Sequence, residues 1–239
     1  MNIAIIGYGR MGREVERLAI QRGHHVTAVF DIDSPFTRNA DLEGAEAAIS
    51  FALPDAVVYN LKIAAELNLP VVEGTTGWYE KLADVQSIKN LTMIYSPNFS
   101  IGVYLFKKIT DYAAGLLADQ TDYDCYLHEW HHTGKADSPS GTAQALAKVL
   151  VSKLANKEKI LSETSHKPID PSALHVTSTR VGRVPGTHQI GFDSQVDSIE
   201  MKHIAHSREG FVLGAVKAAE WLAGKSGIYT MDDFMNDIL

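Results

Sequence analysis

The segment Ile3-Ala4-Ile5-Ile6-Gly7-Tyr8-Gly9-Arg10-Met11-Gly12 decides the fold of the first part of the chain. Its short apolar run predicts a buried parallel strand, and the apolar spacing from Met11 to Arg22 predicts one face of a helix. Between them, the three glycines permit a tight turn, a close approach of backbone to pyrophosphate, and close helix–strand packing. The segment therefore predicts a nicotinamide dinucleotide site, with the pyrophosphate held on Gly7, Tyr8, Gly9, Arg10, Met11 and Gly12.

An acidic residue follows at the spacing that such a site requires. Asp31 comes 19 residues after Gly12, at the end of a second predicted strand, His25–Phe30. A carboxylate there accepts hydrogen bonds from a ribose diol and repels a 2′-phosphate. We therefore expect NADH as the preferred cofactor, with NADPH possible. Arg10 and Arg13 would offset the repulsion, although solvated residues at a helix start are the more common finding.

The pattern then alternates between strands and helices as far as residue 95. Strands are predicted at 45–51, 69–72 and 92–95, and helices at 54–66 and 78–89. Alternation of this kind predicts an α/β fold with a Rossmann-like, doubly wound parallel sheet.

After Asn98 the pattern changes. Helices are predicted at 101–117 and 141–154, a strand near 123–128 and a polar loop at 156–172. The alternating segments 175–179, 188–192 and 198–202 predict antiparallel strands, and a helix at 211–222 returns to the first domain. We expect a dinucleotide domain of residues 1–100 and 208–239, and a second α+β domain of residues 101–207 with a mixed, largely antiparallel sheet.

Composition restricts the possible partners. The chain has 239 residues with 22 Lys and Arg against 29 Asp and Glu, a net charge of −7. This balance argues against non-specific nucleic-acid binding, which needs a basic face. Cys125 is the single cysteine, no apolar run approaches the roughly 20 residues of a membrane span, and no signal-peptide pattern is present. The expectation is a cytoplasmic protein without nucleic-acid or membrane partners.

The residues most suited to chemistry are concentrated at 128–142. A metal site is one interpretation of the three histidines, but no cysteine lies nearby and no His-x-x-x-His helix pattern is present, so no metal is predicted. A second interpretation is an anion site with a proton donor. The helix start at Ser138-Pro139-Ser140-Gly141-Thr142 would bind carboxylate oxygens, Lys135 would add a positive charge, and His131 would carry a proton. A polar surface loop with a helix cap is the third.

A family resemblance favours the anion site. The run Glu129-x-His131-His132-x-x-Lys135-x-Asp137-x-Pro139-Ser140-Gly141-Thr142-Ala143 resembles the signature of the 4-hydroxy-tetrahydrodipicolinate (dihydrodipicolinate) reductase family. The resemblance extends over almost the whole chain. It includes Gly74-Thr75-Thr76-Gly77, Pro97-Asn98-Phe99-Ser100-Ile101-Gly102-Val103, Arg180-x-Gly182-x-Val184-Pro185-Gly186-Thr187-His188 and His203-x-Ala205-x-Ser207-Arg208-x-Gly210-Phe211.

The resemblance implies a homotetrameric oxidoreductase of diaminopimelate and lysine biosynthesis, which uses NAD(P)H to reduce a small cyclic dicarboxylate with loss of water. It implies His131 as proton donor or acceptor and Lys135 as second donor. The substrate contacts that it implies are His132, Ser140, Gly141 and Thr142. The nicotinamide-side contacts are Gly74, Thr75, Thr76, Ser96, Pro97, Asn98 and Phe99.

Two other functions stay open on sequence alone. One is a related two-domain NAD(P)-dependent dehydrogenase of another small acid, which would need a nucleophilic cysteine or a lysine–histidine pair on a helix; Cys125 is poorly placed for the first. The other is a non-catalytic NAD(H) sensor, which has no need of the cluster at 131–142.

Two arginines of the second domain have two interpretations. Arg180 and Arg183 either contact the substrate or a neighbouring subunit, or are solvated charges at the edge of a strand.

Overall fold

A computed structural model describes all residues, 1–239, and divides the chain into two compact units. The first comprises Met1–Ile101 with Glu209–Leu239, and the second comprises Gly102–Arg208. None of the helices combines the length and apolar character needed to cross a membrane.

The strands and helices follow in chain order. They are β1 (Asn2–Ile6), α1 (Arg10–Gln21), β2 (His25–Phe30), β3 (Ala47–Ser50), α2 (Val57–Glu66), β4 (Val71–Glu73), α3 (Leu82–Gln86), β5 (Met93–Tyr95), α4 (Ile101–Leu116), β6 (Asp124–His131), α5 (Gly141–Lys153), β7 (Lys159–Leu161), β8 (Ala173–Arg180), β9 (Gly186–Asp193), β10 (Ser198–Ala205), α6 (Glu209–Leu222), β11 (Ile228–Thr230) and α7 (Met231–Ile238).

The first unit is built on a six-stranded parallel sheet in the order β11-β5-β4-β3-β1-β2. Ile3, Ala4 and Ile5 of β1 are completely buried, as expected for a central strand covered on both faces. The strand order reverses between β1 and β3, and ligands of such sheets bind at the carboxyl ends beside that reversal. The predicted Rossmann-like sheet is confirmed, and the glycine turn that follows β1 lies at this position.

Helix α6 packs unusually close to the segment that follows β5. A Cβ atom on Gly214 would lie 1.7 Å from the carbonyl oxygen of Phe99, so only glycine fits there. The buried small residues Ala215, Ala218 and Ala219 continue the same contact surface. The helix predicted at 211–222 therefore belongs to the first unit.

The second unit contains a five-stranded mixed sheet in the order β10-β9-β6-β8-β7. Strand β9 is antiparallel to β6 and β10, whereas β8 is parallel to β6 and β7. Helices α4 and α5 cover one face and share a core with the sheet, formed by residues such as Phe106, Leu127, Leu146, Val176 and Ile190.

The structure corrects three local predictions and adds two elements that were not predicted. The segment 175–179, expected to be antiparallel, lies in β8 and pairs parallel with β6, because α5 provides the crossover that a parallel pair needs. The polar segment 156–172 contains β7. The helix expected at 78–89 is a 3-10 turn, Tyr79–Lys81, followed by the single-turn α3. Strand β11 and helix α7 were not predicted, and a three-residue strand such as β11 shows no usable periodicity.

The core of the first unit contains one acidic side chain, Glu73, at the end of β4. It is fully buried. Its Oε1 accepts a hydrogen bond from the Thr75 amide at 2.8 Å, while Oε2 has no hydrogen-bond partner. Burial raises the pKa of this carboxyl from 4.5 to about 7.

This pKa predicts a stability that falls as pH rises. Between pH 4.5 and about 7 the carboxyl of the unfolded chain is ionised, while that of the folded protein keeps its proton. The resulting loss of stability is complete above this pH range. It amounts to about 3 kcal/mol, at about 1.4 kcal/mol per pKa unit. Glu73→Gln is therefore expected to be more stable than wild type at pH 8, with a smaller difference at pH 5. Urea unfolding at both pH values measures this, and a difference independent of pH would contradict it.

Candidate active site

The glycine turn at the start of α1 has room for an anion. Gly7 has a φ of +91°, and a Cβ atom there would lie 2.4 Å from the Phe51 carbonyl oxygen. A Cβ atom on Gly12 would lie 2.2 Å from the Gly7 carbonyl oxygen, whereas Gly9 has open space around it. No side chain caps the start of α1. Its first N–H groups can therefore bind a pyrophosphate, and the residues present fit a dinucleotide.

Asp31 lies at the end of β2, on the same edge of the sheet. Its side chain is exposed, and its Oδ1 accepts a hydrogen bond from the Ile32 amide at 2.9 Å. Tyr8 donates a hydrogen bond to Glu16, and the Arg13 guanidinium lies 5.3 Å from the centre of the Tyr8 ring. Arg10 and Arg13 are both exposed, and Arg13 lies beside the turn.

The loops after β4 and β5 lie on this edge as well. Three hydrogen bonds hold Thr75. Its amide donates to Glu73 Oε1 at 2.8 Å. Its Oγ1 accepts from the Ala52 amide at 3.0 Å, and its carbonyl accepts from the Trp78 indole at 2.9 Å. Ser96 Oγ donates to the Asn98 carbonyl at 2.8 Å and accepts from the Asn98 amide at 3.1 Å.

The predicted contacts in these loops differ in accessibility. Thr76 and Pro97 are exposed, and Gly74 and Asn98 are half-buried. Phe99 is buried as a whole residue, and its carbonyl oxygen lies against Gly214 of α6. The structure therefore brings the cofactor residues expected from the sequence to one sheet edge of the first unit.

A buried carboxylate organises the candidate site of the second unit. Glu129, in β6, is fully buried and accepts three hydrogen bonds on Oε1. The donors are the Ser140 amide at 3.0 Å, the Ser178 hydroxyl at 2.8 Å and the Arg180 Nη2 at 2.9 Å. These bonds join β6 to β8 and to the start of α5.

Two buried histidines approach the second oxygen of this carboxylate. His131 Nδ1 lies 3.3 Å and His188 Nε2 lies 3.5 Å from Glu129 Oε2, and the two rings meet edge to face with centroids 5.2 Å apart. Burial opposes ionisation of Glu129, but its contacts with His131 and His188 outweigh burial and hold the pKa of the carboxyl far below its usual range. Glu129 is therefore an anion at physiological pH.

Lys135 and the start of α5 border this network. Lys135 Nζ lies 2.7 Å from Asp137 Oδ1; burial opposes ionisation of Asp137, but Lys135 outweighs it and lowers the pKa of that carboxyl. Arg180 also donates to the Asp137 carbonyl at 2.5 Å. Ser140 caps α5, since its Oγ accepts from the Ala143 amide at 3.2 Å. Gly141 and Thr142 form the first turn, where a Cβ atom on Gly141 would meet open space.

His132 faces a different part of the unit. It lines a cavity of about 340 Å³ together with Arg183, Arg208 and loop residues 133, 134, 182 and 185. Arg208 Nη2 lies 3.4 Å from His132 Nε2. Two guanidinium groups make this cavity suitable for an anionic group.

The three buried side chains also have the spacing of a metal site. The ligand atoms of Glu129, His131 and His188 lie within 4.8 Å of one another. However, the Arg180 guanidinium binds the same carboxylate, and its positive charge opposes a cation there. We therefore assign no metal to this cluster.

Sequence reasoning gave no role to Glu129 or His188. Strand alternation carried a signal for the first, because Glu129 and His131 fall on the same face of β6 as the buried Cys125 and Leu127. An acid in a series of buried positions needs partners. Nothing in the sequence indicated that His188, on β9, would meet it.

Comparisons with known proteins come from sequence and from structure. Two family models match: "Dihydrodipicolinate reductase, N-terminus" over residues 1–99 and "Dihydrodipicolinate reductase, C-terminus" over residues 102–235. A 4-hydroxy-tetrahydrodipicolinate reductase of Christiangramia forsetii is 39% identical, covering 100% of this chain and 99% of the relative. One of Archaeoglobus fulgidus is 38% identical, covering 98% and 100%.

A solved structure with a similar fold carries the same family name. A dipicolinate-bound dihydrodipicolinate reductase from Paenisporosarcina sp. TG-14 superposes with a TM-score of 0.73 at 22% identity, covering 96% of this chain and 97% of that one. At this identity the likeness concerns the fold. It agrees with the parallel sheet and the second, mixed sheet described above.

The Glu129 network predicts a large stability loss when the carboxylate is removed. Glu129→Ala would leave Arg180 and two histidines without their acceptor, and we expect the second unit to lose about 3 kcal/mol. Glu129→Gln keeps one acceptor oxygen and should lose less. Urea unfolding of both variants checks the order, and an alanine variant as stable as wild type would contradict it.

Proposed function

The chain belongs to the dihydrodipicolinate reductase family, and from that premise we propose that it reduces 4-hydroxy-tetrahydrodipicolinate to tetrahydrodipicolinate with loss of water. The enzyme is an oxidoreductase that uses a nicotinamide cofactor. Full-length relatives carry this one activity in their names, which disfavours a dehydrogenase of another small acid and a non-catalytic sensor.

The contact between Glu129 and His131 is the observation that carries the mechanism. When bound, the reduced nicotinamide supplies a hydride, and the reaction also consumes one proton and releases water. Hydride arrival leaves electron density on a conjugated C=N group, which an acid must quench. The Glu129 carboxylate beside Nδ1 orients the His131 ring and leaves Nε2 for proton exchange with the substrate. We propose His131 as the proton donor and Lys135 as the second donor.

The substrate of this reaction carries two carboxylates, and the second unit offers several groups that suit them. Gly141 and Thr142 lie in the first turn of α5, next to the Ser140 cap, and the positive end of the helix dipole favours a carboxylate there. The cavity beside His132 adds two guanidinium groups. We propose these residues as the carboxylate contacts.

Activity measurements with matched controls test this proposal. We expect wild type to oxidise reduced cofactor only when enzymatically generated substrate is present. His131→Ala and Lys135→Ala should lower kcat by about 10²- to 10⁴-fold, the usual contribution of a proton-transfer group, while cofactor affinity stays unchanged. His166→Ala and Lys167→Ala, two exposed positions of one loop, serve as controls. An inactive wild type that binds cofactor would overturn the substrate, and fully active His131 and Lys135 variants would overturn the roles.

We propose NADH as the preferred cofactor, because an exposed carboxylate ends β2. Asp31→Ala should weaken NADH binding about tenfold, through the loss of hydrogen bonds to a charged acceptor, and should weaken NADPH binding less, because repulsion of the 2′-phosphate is removed as well. Fluorescence titration with both cofactors measures the ratio. Asp33→Ala, exposed two residues further on, is the control, and unchanged NADH affinity in Asp31→Ala would contradict the assignment.

We also propose that the enzyme is a homotetramer that assembles through the sheet of the second unit. The face opposite α4 and α5 carries Tyr126, His128 and Trp130, and Lys202 lies 5.0 Å from the centre of the Trp130 ring. Ile204 on the same face is 52% exposed. Light scattering should give about four times the chain mass of 26.2 kDa, and a monomer would contradict this.

We propose the cytoplasm as the location of the enzyme, where Cys125, buried and free, stays reduced.

A further inference from the structure

A buried acid stands where the neighbouring residues of its strand are valines. Val71, Val72 and Glu73 are equally buried in β4, yet the third carries a carboxyl group. The polar groups that lower its pKa against burial are the hydroxyls of Ser50 and Thr75 and the Thr75 amide. An apolar side chain at this position would avoid the desolvation cost. The reaction proposed above gives Glu73 no role.

The geometry of Glu73 connects it to the loop Gly74–Gly77. Its Oε1 accepts the hydrogen bond of the Thr75 amide at 2.8 Å, two residues further along the chain. Thr75 is in turn tied to the residues after β3, because its Oγ1 accepts from the Ala52 amide at 3.0 Å. The carboxyl group thereby fixes the residue at the centre of the loop relative to two adjacent strands.

Thr75 has two further hydrogen bonds, through its Oγ1 and through its carbonyl, but neither involves its amide. Gly74 lies against the Phe51 ring, where a Cβ atom would come within 2.3 Å of Cε1, so residue 74 has no side chain with which to anchor the turn. Thr76 and Gly77 are exposed. The hydrogen bond to Glu73 is therefore the contact that orients the Thr75 amide.

We propose that Glu73 is a positioning residue, which holds the loop Gly74–Gly77 in the conformation that receives the nicotinamide half of the cofactor. This inference rests on the proposed function, because it takes the loop as a cofactor contact. It assigns Glu73 no contact with substrate or cofactor. Its effect is on cofactor affinity rather than on the rate of the chemical step.

Tyr79 provides a matched comparison within the same cluster. Its hydroxyl is buried without a hydrogen-bond partner, and its ring stacks on Trp78 with centroids 4.9 Å apart. The nearby Glu73 contributes to the raised pKa of this phenol, after burial. The hydroxyl holds no part of the loop, so its removal should leave cofactor affinity unchanged.

The experiment compares two nearly isosteric variants of the full-length enzyme. Glu73→Met removes the acceptor and is expected to raise the Kd and KM for NADH about tenfold, the effect of one ordinary hydrogen bond, with kcat at saturating NADH within about twofold of wild type. Glu73→Gln keeps an acceptor oxygen and should restore the affinity to within about twofold. Tyr79→Phe should bind NADH as wild type does.

Several outcomes would overturn the inference. Equal NADH affinity of the methionine and glutamine variants would remove the hydrogen bond as the cause, and so would a methionine variant that changes kcat alone. If the methionine variant does not fold, Glu73→Ala is titrated with NADH and the same loss of affinity is expected. A measurement on wild type alone is also decisive: rapid hydrogen exchange of the Thr75 amide would overturn the inference. A wild type that does not bind NADH would instead overturn the proposed function.

Discussion

The second unit depends on the burial of one negative charge. A carboxylate without solvent is tolerated only when charged and polar partners surround it, and the partners of Glu129 come from β8, β9 and the start of α5. The parallel pairing of β6 with β8 places Ser178 and Arg180 beside it. The same requirement that keeps these elements together also fixes the ring of His131. The Glu129 carboxylate therefore serves both the stability of the second unit and the proposed proton transfer.

The fold of the first unit could be read from the sequence to a large extent, because its signals are local. Apolar runs, the glycine turn and helical spacing each lie within a few residues of one another, and β1, α1 and β2 were predicted to within one residue. The pairing of β8 could not be read in this way, since parallel and antiparallel strands show the same alternation of buried and exposed residues. Strand β11 is too short to show any pattern.

The candidate site was predictable residue by residue only through resemblance. Spacing placed an acid, a lysine and histidines in one segment, but a polar loop and an anion site both remained open as interpretations of that segment. The meeting of Glu129 with His188 depends on the register between β6 and β9, which sets these two residues opposite each other. Glu73 could not be predicted for the opposite reason: it stands alone among apolar neighbours of β4, and nothing in the sequence pairs it with Thr75.

The return of the chain to the first unit has a consequence for the order of folding. Residues 102–208 are continuous and can complete their own sheet as soon as they are synthesised. The first sheet cannot, because β11, the neighbour of β5, and α6, which covers β3, β4 and β5, are made last. Until then Met93 and Ile94, completely buried in the finished protein, lie on an open strand edge. The nascent protein is therefore most prone to aggregate in its cofactor half until more than 200 residues have left the ribosome.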